Sequence, residues 1–178
     1  MEKLLTAKHW QIFILLIFGL FVGGSRVENE PTINAILTTA GNLIYGIYPL
    51  AIGHFLQDYL PKKIELNYNF FLINFFIWIT VSSAIMILSD GEGMTFNGLL
   101  AIPFFYVFYA FLYSIAFPAK TLKSIELGKK ASFAEYFADF FLIFFLPIGI
   151  WFLQPRINRV IKSGQLANKE SRTAKTVL

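Results

Sequence analysis

Long uncharged apolar runs, separated by short charged loops, dominate the chain. Residues 10–25, 32–56, 68–89 and 96–119 contain no Asp, Glu, Lys or Arg. A hydrocarbon core of roughly 30 Å takes about 20 mostly apolar residues as helix. Each run is therefore predicted to be a transmembrane helix, the first slightly short. The boundaries carry matching signals. Pro31 suits a first helical turn, and Pro61 stops the second run. Gly91, after Ser89-Asp90, is a candidate left-handed cap for the third. Thr95 or Asn97 can cap the fourth. The first run follows Lys3 and Lys8 and precedes Gly23-Gly24-Ser25, as in a cleavable signal peptide. Its aromatic core and the runs that follow it favour a retained span.

A fifth segment, 133–155, differs. Ser132-x-x-Glu135 is a capping box that starts a helix at Phe133. The fully apolar part, 140–153, is 14 residues, about 21 Å of helix and short for a span. Pro147 and Gly149 interrupt it and predict a hairpin tip or sharp kink at that point. Basic residues argue the same way, because positively charged loops stay cytoplasmic. With four spans, 14 of the 15 Lys and Arg lie on one side and only Arg26 on the other. With five spans, the C-terminal six change sides and the division is 8 to 7. The expected fold is all-α integral membrane: four transmembrane helices plus a Phe-rich re-entrant or interfacial hairpin, with both termini cytoplasmic. Five transmembrane helices are the alternative.

Composition supports a membrane chain. Of 178 residues, 56% are hydrophobic, 15% charged, and 21 are Phe, with a mean hydropathy of +0.60. A soluble domain is about 25% charged. The absence of Cys excludes disulfides, thiolate chemistry and Cys-ligated zinc or iron–sulfur clusters. Residues 1–163 read as a single polytopic domain. Within it, residues 120–128 have helical amphipathic spacing suited to a membrane surface. A basic helix is expected over 155–163, Pro155 opening it and Gly164 ending it, before a polar, frayed basic tail at 164–178. Charge dispersed at membrane boundaries suits anionic lipid, explains a pI near 9.3, and matches no nucleic-acid module.

Five ionisable side chains are expected at one membrane boundary: His9, His54, Asp58, Glu135 and Asp139. His54 and Asp58, and Glu135 and Asp139, are each four apart and share a helix face. Such pairs from two helices can hold a metal or exchange protons. Ordinary ion pairing is the stronger expectation, with Lys62, Lys63, Arg156 and Arg159 available to Asp58 and Glu135. Two His residues also permit, weakly, a bis-imidazole haem site. Asn34, Thr38 and Asn42 recur every four residues in the second run. With Asn74, Ser82 and the Tyr residues of the fourth run, they suit interhelical hydrogen bonds, or else a polar lining for a small molecule. Gly19-x-x-x-Gly23 is a close-packing motif. No charge falls at a span centre, where proton relays and ion paths usually carry one. No phosphate loop, His-Glu-x-x-His or Gly-x-Ser-x-Gly is present.

The stretch Phe145-Leu-Pro-Ile-Gly-Ile-Trp-Phe-Leu-Gln-Pro-Arg-Ile-Asn158, with the preceding Lys123-Ser-Ile-Glu-Leu-Gly and Glu135-Tyr-Phe, resembles a segment of small multi-span membrane proteins of the Bacteroidota type. The likeness covers under a quarter of the chain. It implies a bacterial inner-membrane setting, and no activity or site residue comes with it. The sequence favours a non-catalytic accessory or scaffold subunit of a membrane assembly, in contact with lipid and possible partner subunits, with no cofactor. A binder or carrier of an apolar molecule such as a lipid or quinone is the alternative. A metal- or haem-dependent membrane enzyme is a second.

Overall fold

The computed structural model describes residues 5–90 and 93–176, with backbone alone for Leu100 and for 167–176. The expected cap Gly91 lies outside these residues. Among the described residues six α-helices of ten or more residues make up the fold: α1 His9–Gly24, α2 Pro31–Phe55, α3 Tyr68–Leu88, α4 Ala101–Leu127, α5 Phe133–Phe144 and α6 Leu146–Thr176. Short 3₁₀ turns follow α2 (Leu56–Tyr59) and precede α4 (Gly98–Leu100). There are no strands among the described residues.

Local chemistry sets most helix ends. Pro31 opens α2, where its missing N–H would have no intrahelical partner. The Asn67 side chain accepts from the Phe70 N–H at 3.0 Å and starts α3. At the end of α3 the left-handed residue is Asp90, with φ 54°. Asn97 precedes the 3₁₀ turn without a side-chain cap bond. Gly128, at φ 62°, ends α4. The Ser132–Glu135 capping box opens α5 as expected.

Among the described residues three helical stretches are long and apolar enough to cross a membrane: Pro31–Tyr59, Tyr68–Leu88 and Ala101–Leu127. The first expected span, α1, is a shorter apolar helix of 16 residues. The fourth begins at Ala101 rather than near 96 and runs on to Leu127. The supposed surface helix at 120–128 is thus the last turns of α4, because Ala119, Thr121, Leu122 and Ser124 are buried. Large apolar side chains face outward along the bundle, including Phe21 at 74% and Phe105 at 72% exposure. Soluble monomers rarely present such continuous apolar surface. Together these features point to a multi-pass membrane protein.

Segment 133–155 doubles back, since Asp139 on α5 meets Arg156 on α6. A straight helix would hold them about 25 Å apart. The reversal is at Phe145 (φ −102°, ψ 53°), not at Pro147–Gly149. Pro147 sits in the first turn of α6, where its lack of an N–H costs no intrahelical bond. Gly149 lies in the next turn, donating to Phe145 O at 2.8 Å. A Cβ at Gly149 would lie 1.8 Å from Leu142 O, so this glycine lets the two arms touch. Nor does a separate helix start at Pro155. α6 runs through it to Thr176, so the expected frayed tail is helical as far as Thr176. Leu146, Ile150, Leu153, Ile157 and Ile161 are all buried and form one stripe that outweighs the bond lost at Pro155.

The helices alternate in direction. The Arg26 end of the bundle holds the α1–α2 and α3–α4 connections. The Arg156 end holds the α2–α3 and α4–α5 connections, the segment before α1, and the length of α6 beyond Arg156. The arms of the α5–α6 hairpin rise from the Arg156 end only to the middle of the bundle. There the Tyr45 hydroxyl donates to Ile143 O (3.0 Å) and Phe144 O (3.1 Å) at the tip. One apolar core joins α1, α2, α4 and the hairpin. A second joins α3 to α4, with Phe71 and Phe117 stacked at 4.5 Å.

Candidate functional site

The two halves of the bundle are filled differently. In the Arg156 half, hairpin residues Ile143, Leu146 and Ile150 pack into the core. Above the tip there is no hairpin, and a cleft of about 700 Å³ opens between α1, α2, α3 and α4. Trp78, Phe104, Phe108 and Phe111 form its walls, with Phe144 of the hairpin tip among its lining. Its polar groups are Thr38, Asn42, Tyr45 and Ser82. A few polar groups in an apolar concavity of this size are typical of small-molecule sites.

Glycines shape the back of the cleft. A Cβ at Gly41 would come within 2.5 Å of Gly23 Cα and 2.8 Å of Gly19 O, and one at Gly19 would meet Ile44 at 2.5 Å. The Gly19/Gly23 motif therefore has its partner in Gly41 on α2. The Asn34–Thr38–Asn42 stripe divides into three roles. Asn34 clamps the α1–α2 loop, accepting from Val27 N–H at 2.8 Å and donating to Val27 O at 3.0 Å. Thr38 donates to Gly23 O at 3.4 Å. Asn42 faces the cleft, and its side chain has no hydrogen-bond partner among the described residues. The expected interhelical bonding is sparser than the sequence suggests. Asn74, Ser82, Ser114 and Thr121 donate to carbonyls of their own helices.

At the Arg156 end the five ionisable candidates do not form one cluster. The His9 ring packs on Trp151 at 4.6 Å. The Nδ1 atom of His54 shares a hydrogen bond with the Tyr68 hydroxyl. Glu135 pairs with Lys129 at 2.7 Å and accepts from Ser132 N–H at 2.7 Å and Oγ–H at 2.9 Å. Those bonds, that from Lys129 foremost, hold its carboxyl down at about 2. Asp58 lines an open groove of about 1130 Å³ that also includes Glu126, Arg156 and Arg159. Among the described residues no three His, Asp or Glu side chains are placed to hold a metal. The imidazoles engage different partners rather than facing each other.

Asp139 meets a residue expected for other carboxylates. Arg156 bonds Asp139 through Nη1 and, at 2.9 Å, through Nη2. Its Nε and Nη2 edge grips Glu126 at 2.7 and 2.6 Å. Asp139 first, then Glu126, pushes the Arg156 guanidinium further above its ordinary range. Sequence spacing gave no sign of Glu126, because only the doubled hairpin brings residues 126, 139 and 156 together. A second node was also missed. Gln154 is buried, donating to Leu5 O (2.7 Å) and Ala7 O (3.0 Å) and accepting from the Tyr48 hydroxyl at 2.5 Å. It ties the segment before α1 to the hairpin. Comparison with protein-family models, curated proteins and solved structures finds no match for this chain.

Proposed function

We propose an integral membrane protein that binds one apolar small molecule, of lipid or quinone type, in the cleft above the hairpin tip. The observation that carries this is the cleft itself: about 700 Å³, aromatic walls, and an Asn42 amide with no hydrogen-bond partner among the described residues. In this proposal α1–α4 cross the membrane, and the α5–α6 hairpin enters from the basic side and returns to it. Four helices surround a volume that the hairpin fills only halfway, and the remainder is open to an acyl or isoprenoid chain. The Arg156 end, which carries nearly all the Lys and Arg, is the cytoplasmic face by the positive-inside rule. The resemblance of 145–158 to Bacteroidota-type membrane proteins supports a bacterial inner membrane.

Native mass spectrometry of protein extracted in mild detergent tests the proposal. The expected result is an adduct of lipid or quinone mass, lost in a Ser82→Phe variant that fills the cleft. A wild-type protein that retains no adduct would sink it. The accessory-subunit reading has separate support. α6 continues about 18 Å past Gly164 as helix, a rod that another subunit can engage. Detergent pull-down that returned only a monomer would count against that reading and leave the cleft proposal standing.

A further inference from the structure

Arg26 is exposed and is bonded to two residues of the cleft lining. Its Nη1 donates to Gly23 O (3.2 Å), Ser25 O (2.9 Å) and Thr38 Oγ1 (3.1 Å), and both Gly23 and Thr38 line the cleft. The Nε–H and Nη2–H edge has no acceptor among the described residues. Arg156 shows what that edge does when filled, holding the Glu126 carboxylate side-on. The ion pairs among the described residues lie at the Arg156 end. Arg26 pairs with no described carboxylate, although Glu28 and Glu30 are near in sequence.

The position of this charge also matters. α1 rises about 24 Å from His9 to Gly24, and Arg26 lies just beyond its upper end. In a bilayer this is the level where the hydrocarbon core gives way to headgroups. A planar guanidinium fork there matches the paired oxygens of a phosphate, and the cleft next to it takes an acyl chain.

We infer that the cleft binds a membrane phospholipid whose phosphate is held by the Nε/Nη2 edge of Arg26. This rests on the cleft being the binding site proposed above. The same acyl chains can be offered with and without the phosphate. Pyrene-labelled phosphatidylglycerol and pyrene-labelled diacylglycerol are titrated into the full chain in detergent micelles, with energy transfer from tryptophan as the readout. Wild type is expected to bind the phospholipid roughly tenfold or more tighter, the effect of one charge-assisted bond. Arg26→Gln is expected to bind both probes at the diacylglycerol level. Arg26→Lys keeps the charge but not the fork, and is expected to fall between the two. Equal wild-type affinity for both probes would overturn the phosphate site while leaving the cleft as an apolar site. Binding of neither probe would overturn the phosphate site together with the lipid form of the cleft reading, leaving the quinone form to the adduct measurement above. Palmitate that displaces the labelled phospholipid more effectively than unlabelled phospholipid does would overturn the choice of phosphate over carboxylate.

Discussion

Replacing Gly149 with Ala adds one methyl group at the closest approach of the hairpin arms. Its Cβ would lie 1.8 Å from Leu142 O, 2.5 Å from Leu142 C and 2.9 Å from Leu142 Cα. All three are backbone atoms, so no rotamer change relieves the clash. A carbon needs about 3.3 Å from a carbonyl oxygen, and the arms must therefore part by about 1.5 Å. Overpacking of this kind costs about 1–3 kcal/mol. A shift of that size also breaks at least one Tyr45 bond to Ile143 O or Phe144 O, worth about 0.5–1.5 kcal/mol. Ala in place of helical Gly returns up to about 1 kcal/mol. The net expectation is a loss of about 1–3 kcal/mol. Gly24→Ala is the control, since a Cβ there meets nothing within 4 Å. Denaturation in mixed micelles, followed by the emission of Trp10, Trp78 and Trp151, measures both variants. Gly149→Ala as stable as Gly24→Ala would refute the close packing of the hairpin arms.

Three other expectations follow from the polar contacts. Gln154→Leu leaves the Leu5 and Ala7 carbonyls without their partner and should cost about 2–4 kcal/mol in the same denaturation assay, with faster amide exchange before α1. Asp139→Asn removes a buried carboxylate, but Arg156 keeps Glu126. The cost is therefore expected at about 1–3 kcal/mol, below that of stranding a buried charge altogether, and exchange should rise in α5 before α1. For Glu135, folding depresses the carboxyl pKa to about 2. Its stabilising contribution is fully present above the unfolded value near 4.5 and is lost as pH falls toward 2. Protection of the first-turn amides of α5 should fall in wild type as pH drops from about 4.5 toward 2, and Glu135→Gln, which keeps a capping acceptor but does not titrate, should show no such pH step.

Much of the fold follows from the sequence alone. Uncharged runs of 20 residues have few options other than helix in lipid, because backbone groups there must bond internally. Pro31 and the Ser132–Glu135 box mark helix starts through local bonding, and these positions agree with the structure. The fold-back of 133–155 was legible because a 14-residue apolar run with a central Pro is poorly suited to a straight span. A continuous α6 was also legible in principle, since Leu146, Ile150, Leu153, Ile157 and Ile161 keep helical spacing across Pro155. Pro155, by itself a helix-start signal, masks that continuity.

Tertiary packing decided the rest, for a physical reason. Sequence patterns report neighbours within a turn or two, while partners across the bundle depend on helix direction, depth and rotation. Gly19 and Gly23 announced a close contact, but only packing supplied Gly41. Asp139 announced a partner, but only the reversal at Phe145 brought it to Arg156 and Glu126. The cleft belongs to no single motif. It exists because a hairpin of half the bundle's height leaves the space above its tip unfilled, and that volume is a property of the assembled helices.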